Sequence, residues 1–342
     1  MNFSLIICTY KRPQALLALL QSVKQQTLYP TEILIVDGSP DDATQLMLAQ
    51  NSFPNLKYFK VKEKDRGLTK QRNYGIARVS EASEVVCFLD DDTLLSPSYF
   101  EEIIKTYQHY PEALGVGGYI TNEVVWQQVG LAYIPKINEF YFDGWKRKDG
   151  SRFVWRKKLG LDSDVPPGYS PAFSHGRSVG FLPPSGQVYP VEQLMGGVSS
   201  FRKAVFEQFQ FSTYFEGYGL YEDADFTLRV AKTGKLYLNT AAQLEHHHDA
   251  AGRPNQYTYG KMVVRNGWYV WRVKCPKPSF NAKCKWHLIT LLLTAIRGTN
   301  VVTSSKRKEA LTETMGRLVG WFSLFWDRFG NRLFYLLNSR VC

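Results

Sequence analysis

Three short runs in this chain place reactive side chains where hydrophobic elements begin or end. Asp90-Asp91-Asp92 directly follows the apolar run Val85–Leu89. Three adjacent carboxylates at the end of a buried strand repel one another and need counter-charge. A hard divalent cation, magnesium or manganese, would supply it and would bridge to phosphates. A turn or a helix cap is the plainer use of the same residues. Glu222-Asp223-Ala224-Asp225 opens a helical stretch, where acidic groups are stabilising in any case. A carboxylate there that faces a pocket can also act as general base. His246-His247-His248 ends another apolar stretch. In extended chain His246 and His248 share one face while His247 points away, so one imidazole could complete a metal site begun by the aspartates. Solvated loop histidines are the alternative.

Among the cations, Lys70 and Arg72 in the segment Gly67–Gly75 could meet a pyrophosphate, or could be ordinary surface charges on a helix. No GxxxxGK[ST] phosphate loop and no GxGxxG fingerprint is present. Gly176-Arg177-Ser178-Val179-Gly180 fits the GxSxG pattern of a hydrolase elbow. That elbow needs a strand before it and a helix after it. Pro171 upstream and Pro183-Pro184 downstream make both flanks loop, so the match reads as chance.

The elements that must position these groups can be read from the first hundred residues. Phe3–Cys8, Ile33–Val36, Leu56–Val61 and Val85–Leu89 are short apolar runs. Pro13–Gln26 carries Leu16, Leu17, Leu20 and Val23 at helical spacing, with proline at its start. A second helix is expected near Asp41–Ala49, with Ser39 and Asp41 as caps. Strand and helix alternating at this spacing give βαβ units and a mainly parallel sheet. Lys57 and Lys60 mark the third run as an edge strand. Such sheets bind ligands beyond the carboxyl ends of their strands, which here carry Thr9-Tyr10-Lys11-Arg12, Asp37-Gly38-Ser39 and the aspartate triplet. Residues 124–190, aromatic, basic and proline-rich, read as an inserted lid or acceptor-facing segment. A helix is expected over Glu222–Thr233 with Gly234 as its C-cap. Another is expected from about Gly316, with Leu318, Trp321, Phe322, Phe325, Phe329, Leu333 and Leu336 on one face.

Charge divides the chain. Of 342 residues, 42 are Lys or Arg and 31 Asp or Glu, a net charge of +11. Residues 255–342 hold 15 of those basic and 3 of those acidic groups, leaving 27 and 28 in residues 1–254. A uniformly basic nucleic-acid binder is therefore excluded, and the 44% apolar content excludes a disordered chain. The expected organisation is a near-neutral globular domain over 1–254 and a basic, aromatic helical tail over 255–342. An amphipathic tail of this composition can lie on an anionic membrane or pack on its own domain. Leu288–Ile296 is shorter than the roughly 20 apolar residues that a span requires. Five cysteines without a CxxC pair, and no leader-like start, favour a reducing, cytoplasmic setting.

Taken in order, Ile6–Pro13, Ile35–Ser39, Arg72–Gly75, Phe88–Asp92, Gly196-Gly197, Glu222–Phe226 with Arg229 and the histidine run resemble glycosyltransferase family 2, over about residues 3–253. The resemblance implies an α/β fold of the GT-A nucleotide-sugar type and an inverting, metal-dependent transfer from a nucleoside-diphosphate sugar to a hydroxyl of a glycan or lipid-linked acceptor. Thr9, Tyr10 and Asp37 would hold nucleobase and ribose, with Arg12, Arg72, Asp90 and Asp91 completing the donor site. Asp92 would ligate the metal with His246 or His248, and Asp223 would be the base, supported by Glu222. Ser39 departs from a family position that is often acidic, so the resemblance does not assign the nucleobase. Two other functions remain open at this point. A sugar-phosphate nucleotidyltransferase would need a glycine-rich loop after the first strand, and residues 9–13 have no glycine. A non-enzymatic membrane or nucleic-acid binder would use the tail and leave the acidic sites without a role.

Overall fold

The structure is a computed structural model that describes residues 1–215, 218–248 and 254–326. The chain forms two compact units, residues 1–253 and 254–342.

The first unit opens with β1 (Phe3–Thr9), α1 (Pro13–Lys24), β2 (Glu32–Asp37), α2 (Ala43–Gln50), β3 (Leu56–Lys60), α3 (Leu68–Ile76) and β4 (Val85–Asp90). It continues with β5 (Thr93–Leu95), α4 (Tyr99–His109), β6 (Ala113–Ile120), β7 (Gln127–Gln128), β8 (Glu139–Phe142), β9 (Trp145–Lys148) and α5 (Ser151–Lys158). It ends with β10 (Val188–Val191), β11 (Val198–Arg202), α6 (Val205–Gln208), α7 (Glu222–Val230) and β12 (Lys235–His246). The second unit holds α8 (Gln256–Lys274), α9 (Phe280–Thr303) and α10 (Arg307–Trp326).

One large sheet runs in the order β10-β12-β6-β11-β4-β1-β2-β3, with β5 paired to β12. The stretch β4-β1-β2-β3 is parallel, as the alternation of strands and helices requires. Beyond β4 the sheet becomes mixed, because β11 runs antiparallel to both β4 and β6. Alternate side chains feed two cores. Leu5, Ile7, Val85, Cys87 and Leu89 pack with α1 and α4, whereas Ile6, Val86 and Phe88 pack with Phe201, Phe211 and Phe226 on the other face. Burial on both faces explains the unbroken apolar runs of β1, β2 and β4; β3, half exposed, is the edge strand.

Three boundaries differ from the sequence reading. α2 begins at Ala43; Asp41 accepts the Ala43 amide at 3.2 Å, but the Ser39 hydroxyl accepts from the Lys11 amide at 2.7 Å and caps nothing. α7 stops at Val230 with Ala231 as its cap, and Gly234 lies in the turn before β12. α10 begins at Arg307, so Gly316 is inside the helix. A Cβ there would lie 2.1 Å from the Tyr257 carbonyl oxygen, so the glycine permits close approach of α8. Within the second unit Trp321 donates to His287 at 3.1 Å and Phe325 stacks on the same imidazole, so part of the α10 apolar face turns inward. Phe329, Leu333 and Leu336 lie outside the described residues.

The 124–190 insertion has its own small sheet, β7-β9-β8, and a buried ionic centre. Arg177 grips Asp149 through two bonds of 2.8 and 3.0 Å, Lys157 adds a third at 2.8 Å, and Phe140, Phe153 and Phe181 surround the guanidinium. Arg177 is thus a structural staple, and Ser178 beside it is preceded by loop, not by the strand an elbow needs.

Candidate active site

The register of the parallel strands aligns the polar ends. Thr9 pairs with Asp37 across β1 and β2, and Cys8 pairs with Asp90 across β1 and β4. One sheet edge therefore carries Thr9, Asp37 and Asp90-Asp91-Asp92 together. The Thr9 hydroxyl donates to Asp91 at 2.7 Å. Arg12 bridges Asp91 at 3.1 Å and Asp92 at 3.3 Å, supplying part of the counter-charge the triplet needs. Burial pushes the Asp91 carboxyl up to about 6 against the pull of Thr9 and Arg12. Asp37 is fully buried, accepting from the Ser39 amide at 2.7 Å and the Tyr58 hydroxyl at 2.9 Å. Tyr10 stands exposed at the rim, with the Lys11 ammonium 5.5 Å from its ring.

β12 delivers His246 to this edge. Its Nε2 lies 3.0 Å from Asp92 Oδ1, while the Asn122 side chain brackets the His246 backbone with two bonds of 3.0 Å. One ligand atom each from Asp90, Asp92 and His246 fall within 4.8 Å of one another. Carboxylate oxygens and an imidazole at this separation suit a magnesium- or manganese-sized cation, so the donor set fits the implied metal. His248 turns to Glu123 at 2.8 Å and forms a second cluster with Glu123 and His246; His247 pairs with Glu245 at 3.0 Å.

The helix start of α7 meets the strand ends through one guanidinium. Arg72, buried on α3, hydrogen-bonds Glu222 and lies 3.5 Å from Asp90. Gly196 and Gly197 permit this convergence: a Cβ on Gly196 would lie 2.5 Å from Glu222 Oε1, and one on Gly197 would lie 2.0 Å from Asp90 Oδ2. The Asp223 carboxylate accepts from the Gly196 amide at 3.2 Å and the Ala224 amide at 2.7 Å. Burial raises its proton affinity above the ordinary aspartate value, with those amides opposing. Burial raises Glu222 as well, against the pull of Arg72. A carboxylate held by backbone donors and shifted toward proton capture has the properties of a general base.

Asp223 and Glu222 are therefore linked to Asp90 through Arg72 and Gly196, and Asp92 to His246 directly. Lys70 makes none of the contacts just described. Three contributors escape the sequence reading: Tyr58 on Asp37, Glu123 on His248, and Gln71. The Gln71 amide donates to the Val36 carbonyl at 2.8 Å and the Thr9 carbonyl at 3.2 Å, tying the ends of β1 and β2 together. Its only sequence signal is its place one residue before Arg72.

Residues 4–165 match the family described as Glycosyl transferase family 2. The chain is similar to the glucosyl-dolichyl phosphate glucuronosyltransferase of Haloferax volcanii, 27% identical over 147 residues, which are 42% of this chain and 44% of that protein. It is also similar to the uncharacterized glycosyltransferase YwdF of Bacillus subtilis, 34% identical over 106 residues, 31% of this chain and 38% of the relative. The O-antigen chain rhamnosyltransferase RfbN of Salmonella typhimurium is 32% identical over 111 residues, 32% of this chain and 33% of the relative. The chain thus spans less than half the length of these curated relatives. The matched stretch holds the strand-end residues from Thr9 to Asp92, whereas Glu222, Asp223 and the histidines lie beyond it. Over that stretch, a little under half of the chain, the protein is similar to glycosyltransferase family 2.

Proposed function

We propose that the protein is a metal-dependent, inverting glycosyltransferase that moves a sugar from a nucleoside-diphosphate sugar to a hydroxyl of a glycan or lipid-linked acceptor. The observation that carries this reading is the position of Arg72, which touches Asp90 of the strand-end cluster and Glu222 beside Asp223. A cation-binding group and a proton acceptor are thereby fixed relative to each other, as a single displacement requires.

In this reading Thr9, Tyr10 and Asp37 hold the nucleoside, with Arg12, Arg72 and Asp91 around it. Asp90, Asp92 and His246 would hold manganese or magnesium, which supplies Lewis-acid neutralisation of the diphosphate. Asp223 takes the proton from the acceptor hydroxyl. The acceptor oxygen bonds to the anomeric carbon as the bond from that carbon to the phosphate oxygen breaks, and the nucleoside diphosphate leaves with the electron pair. A single attack from the opposite face inverts configuration. Gly196 and Ala224 amides fix the Asp223 carboxylate, and Arg72 fixes Glu222 behind it. The names of two relatives, for a glucosyl-dolichyl phosphate and an O-antigen chain, support a lipid-linked or envelope glycan acceptor. The basic second unit supports work at the cytoplasmic face of a membrane. No described helix is long and apolar enough to cross one.

A thermal-shift panel of nucleoside diphosphate sugars with manganese, magnesium or chelator tests the donor half of the reading. A stabilisation by one donor that chelator abolishes is expected. Stabilisation by none, or equal stabilisation with chelator present, would contradict it.

A further inference from the structure

The three most exposed large apolar side chains among the described residues fall within ten positions of one segment of the insertion. Val125 is 89% exposed, Ile134 87% and Leu131 82%, and Ile137 follows at 52%. Water contact over so much aliphatic surface is unusual for side chains clustered in one loop. The loop is not slack. The Val129 and Gly130 amides both donate to the Gly144 carbonyl, at 2.8 and 3.0 Å. The Tyr141 hydroxyl holds the Gly130 and Leu131 carbonyls at 3.2 Å. Pro135 fixes its own φ and so restricts the backbone between Ile134 and Lys136. The backbone therefore presents Leu131 and Ile134 outward by construction.

The surrounding charge is one-sided. Residues 124–159 hold 8 Lys or Arg and 3 Asp or Glu, whereas the rest of residues 1–254 holds 19 basic and 25 acidic side chains. All three acids are engaged locally. Glu139 accepts from Tyr133 at 2.7 Å and Lys146 at 3.0 Å, Asp143 from Tyr189 at 2.5 Å, and Asp149 is the buried partner of Arg177. Lys136, Lys148, Arg152 and Lys158 are exposed. Aliphatic tips beside exposed cations match the boundary of an anionic bilayer, where acyl chains take the former and phosphates the latter. Single-stranded nucleic acid is a poorer match, since its bases stack on aromatic platforms and the projecting groups here are Val, Leu and Ile.

We infer that the loop at residues 125–137 is a membrane-docking surface of the first unit, separate from any contact made by the basic helical unit. The inference does not depend on the transfer chemistry, and its test uses no donor. Hydrogen exchange of the full chain is followed with vesicles of phosphatidylglycerol and phosphatidylcholine, and with phosphatidylcholine alone. Amides of residues 125–138 are expected to slow only with the anionic vesicles. In co-sedimentation, the Leu131→Ser/Ile134→Ser variant is expected to bind those vesicles at least about tenfold more weakly, with an unchanged melting temperature. Exchange in the loop that vesicles leave unaltered, or equal protection by zwitterionic vesicles, would overturn the inference. Protection that appears without vesicles as protein concentration rises would assign the surface to a second copy of the chain instead.

Discussion

The carboxylates at the end of β4 and those at the start of α7 are the same chemical groups in opposite surroundings. Asp91 and Asp92 face cations: Arg12 lies within 3.3 Å of both and His246 within 3.0 Å of Asp92. Burial raises the proton affinity of Asp223 against the pull of two backbone amides, and Glu222 is buried with it against Arg72. Carboxylates beside the Arg12 guanidinium are drawn toward the ionised form that holds a cation, although burial lifts Asp91 to about 6. A desolvated group with a single guanidinium nearby is poised to accept a proton. Environment, not residue type, separates the two roles.

The largest effect that could break this contrast is on turnover. Asp223→Asn keeps the shape and hydrogen-bonding length of the side chain but cannot accept the proton, so kcat should fall about 10²–10⁴-fold. Wild-type turnover in that variant would show that the two clusters are not divided in this way. Gly197→Ala places a methyl group 2.0 Å from Asp90 Oδ2 and must displace the strand-end cluster while leaving Asp223 in place. A loss of about 10²-fold in kcat/KM is expected from misplacement on this scale, with the melting temperature recorded alongside.

The acid side of the pH–rate profile sharpens the contrast further. The base must be deprotonated to act, and its folded-state pKa is raised, so kcat should fall with decreasing pH at values above the ordinary aspartate range near about 3.9. An acid limb at or below that range would place the proton acceptor elsewhere. The smallest effect concerns Arg12. It occupies Asp92, one of the carboxylates that would hold the cation, so Arg12→Ala should tighten manganese binding without donor by about threefold, the scale of one partly exposed ion pair. Weaker manganese binding in that variant would mean that Arg12 organises the site instead of competing for it.

Much of this site is legible in the sequence because its residues stand at element boundaries. β1, β2 and β4 are buried on both faces and read as continuous apolar runs, so the residues that follow them announce the ligand edge. β6 is hidden by Gly115, Gly117 and Gly118. A Cβ at Gly117 would lie 2.7 Å from Leu194, and one at Gly118 would lie 2.4 Å from Tyr99, so packing explains them only once the fold is known. β12 is hidden by polar residues that find partners inside the fold, such as Asn239, which donates to Thr106 at 2.9 Å. Tyr58, Gln71 and Glu123 reach the site through strand pairing and tertiary contact, for which local spacing carries no signal. The start of α10 was obscured because Gly316 resembles a helix boundary while serving as a point of close helix contact. The division of charge at about residue 254 needed no structure, since counting alone reveals it.

The central claim is that the strand-end carboxylates hold the donor while the helix-start carboxylate takes the proton. Calorimetric titration of Asp223→Asn with manganese and the nucleoside diphosphate chosen by the thermal-shift panel tests it most directly. The account predicts an affinity within about threefold of wild type in the variant that has lost turnover, because a residue acting only in the chemical step leaves ground-state binding intact. A loss of donor affinity comparable to the loss of kcat would contradict it.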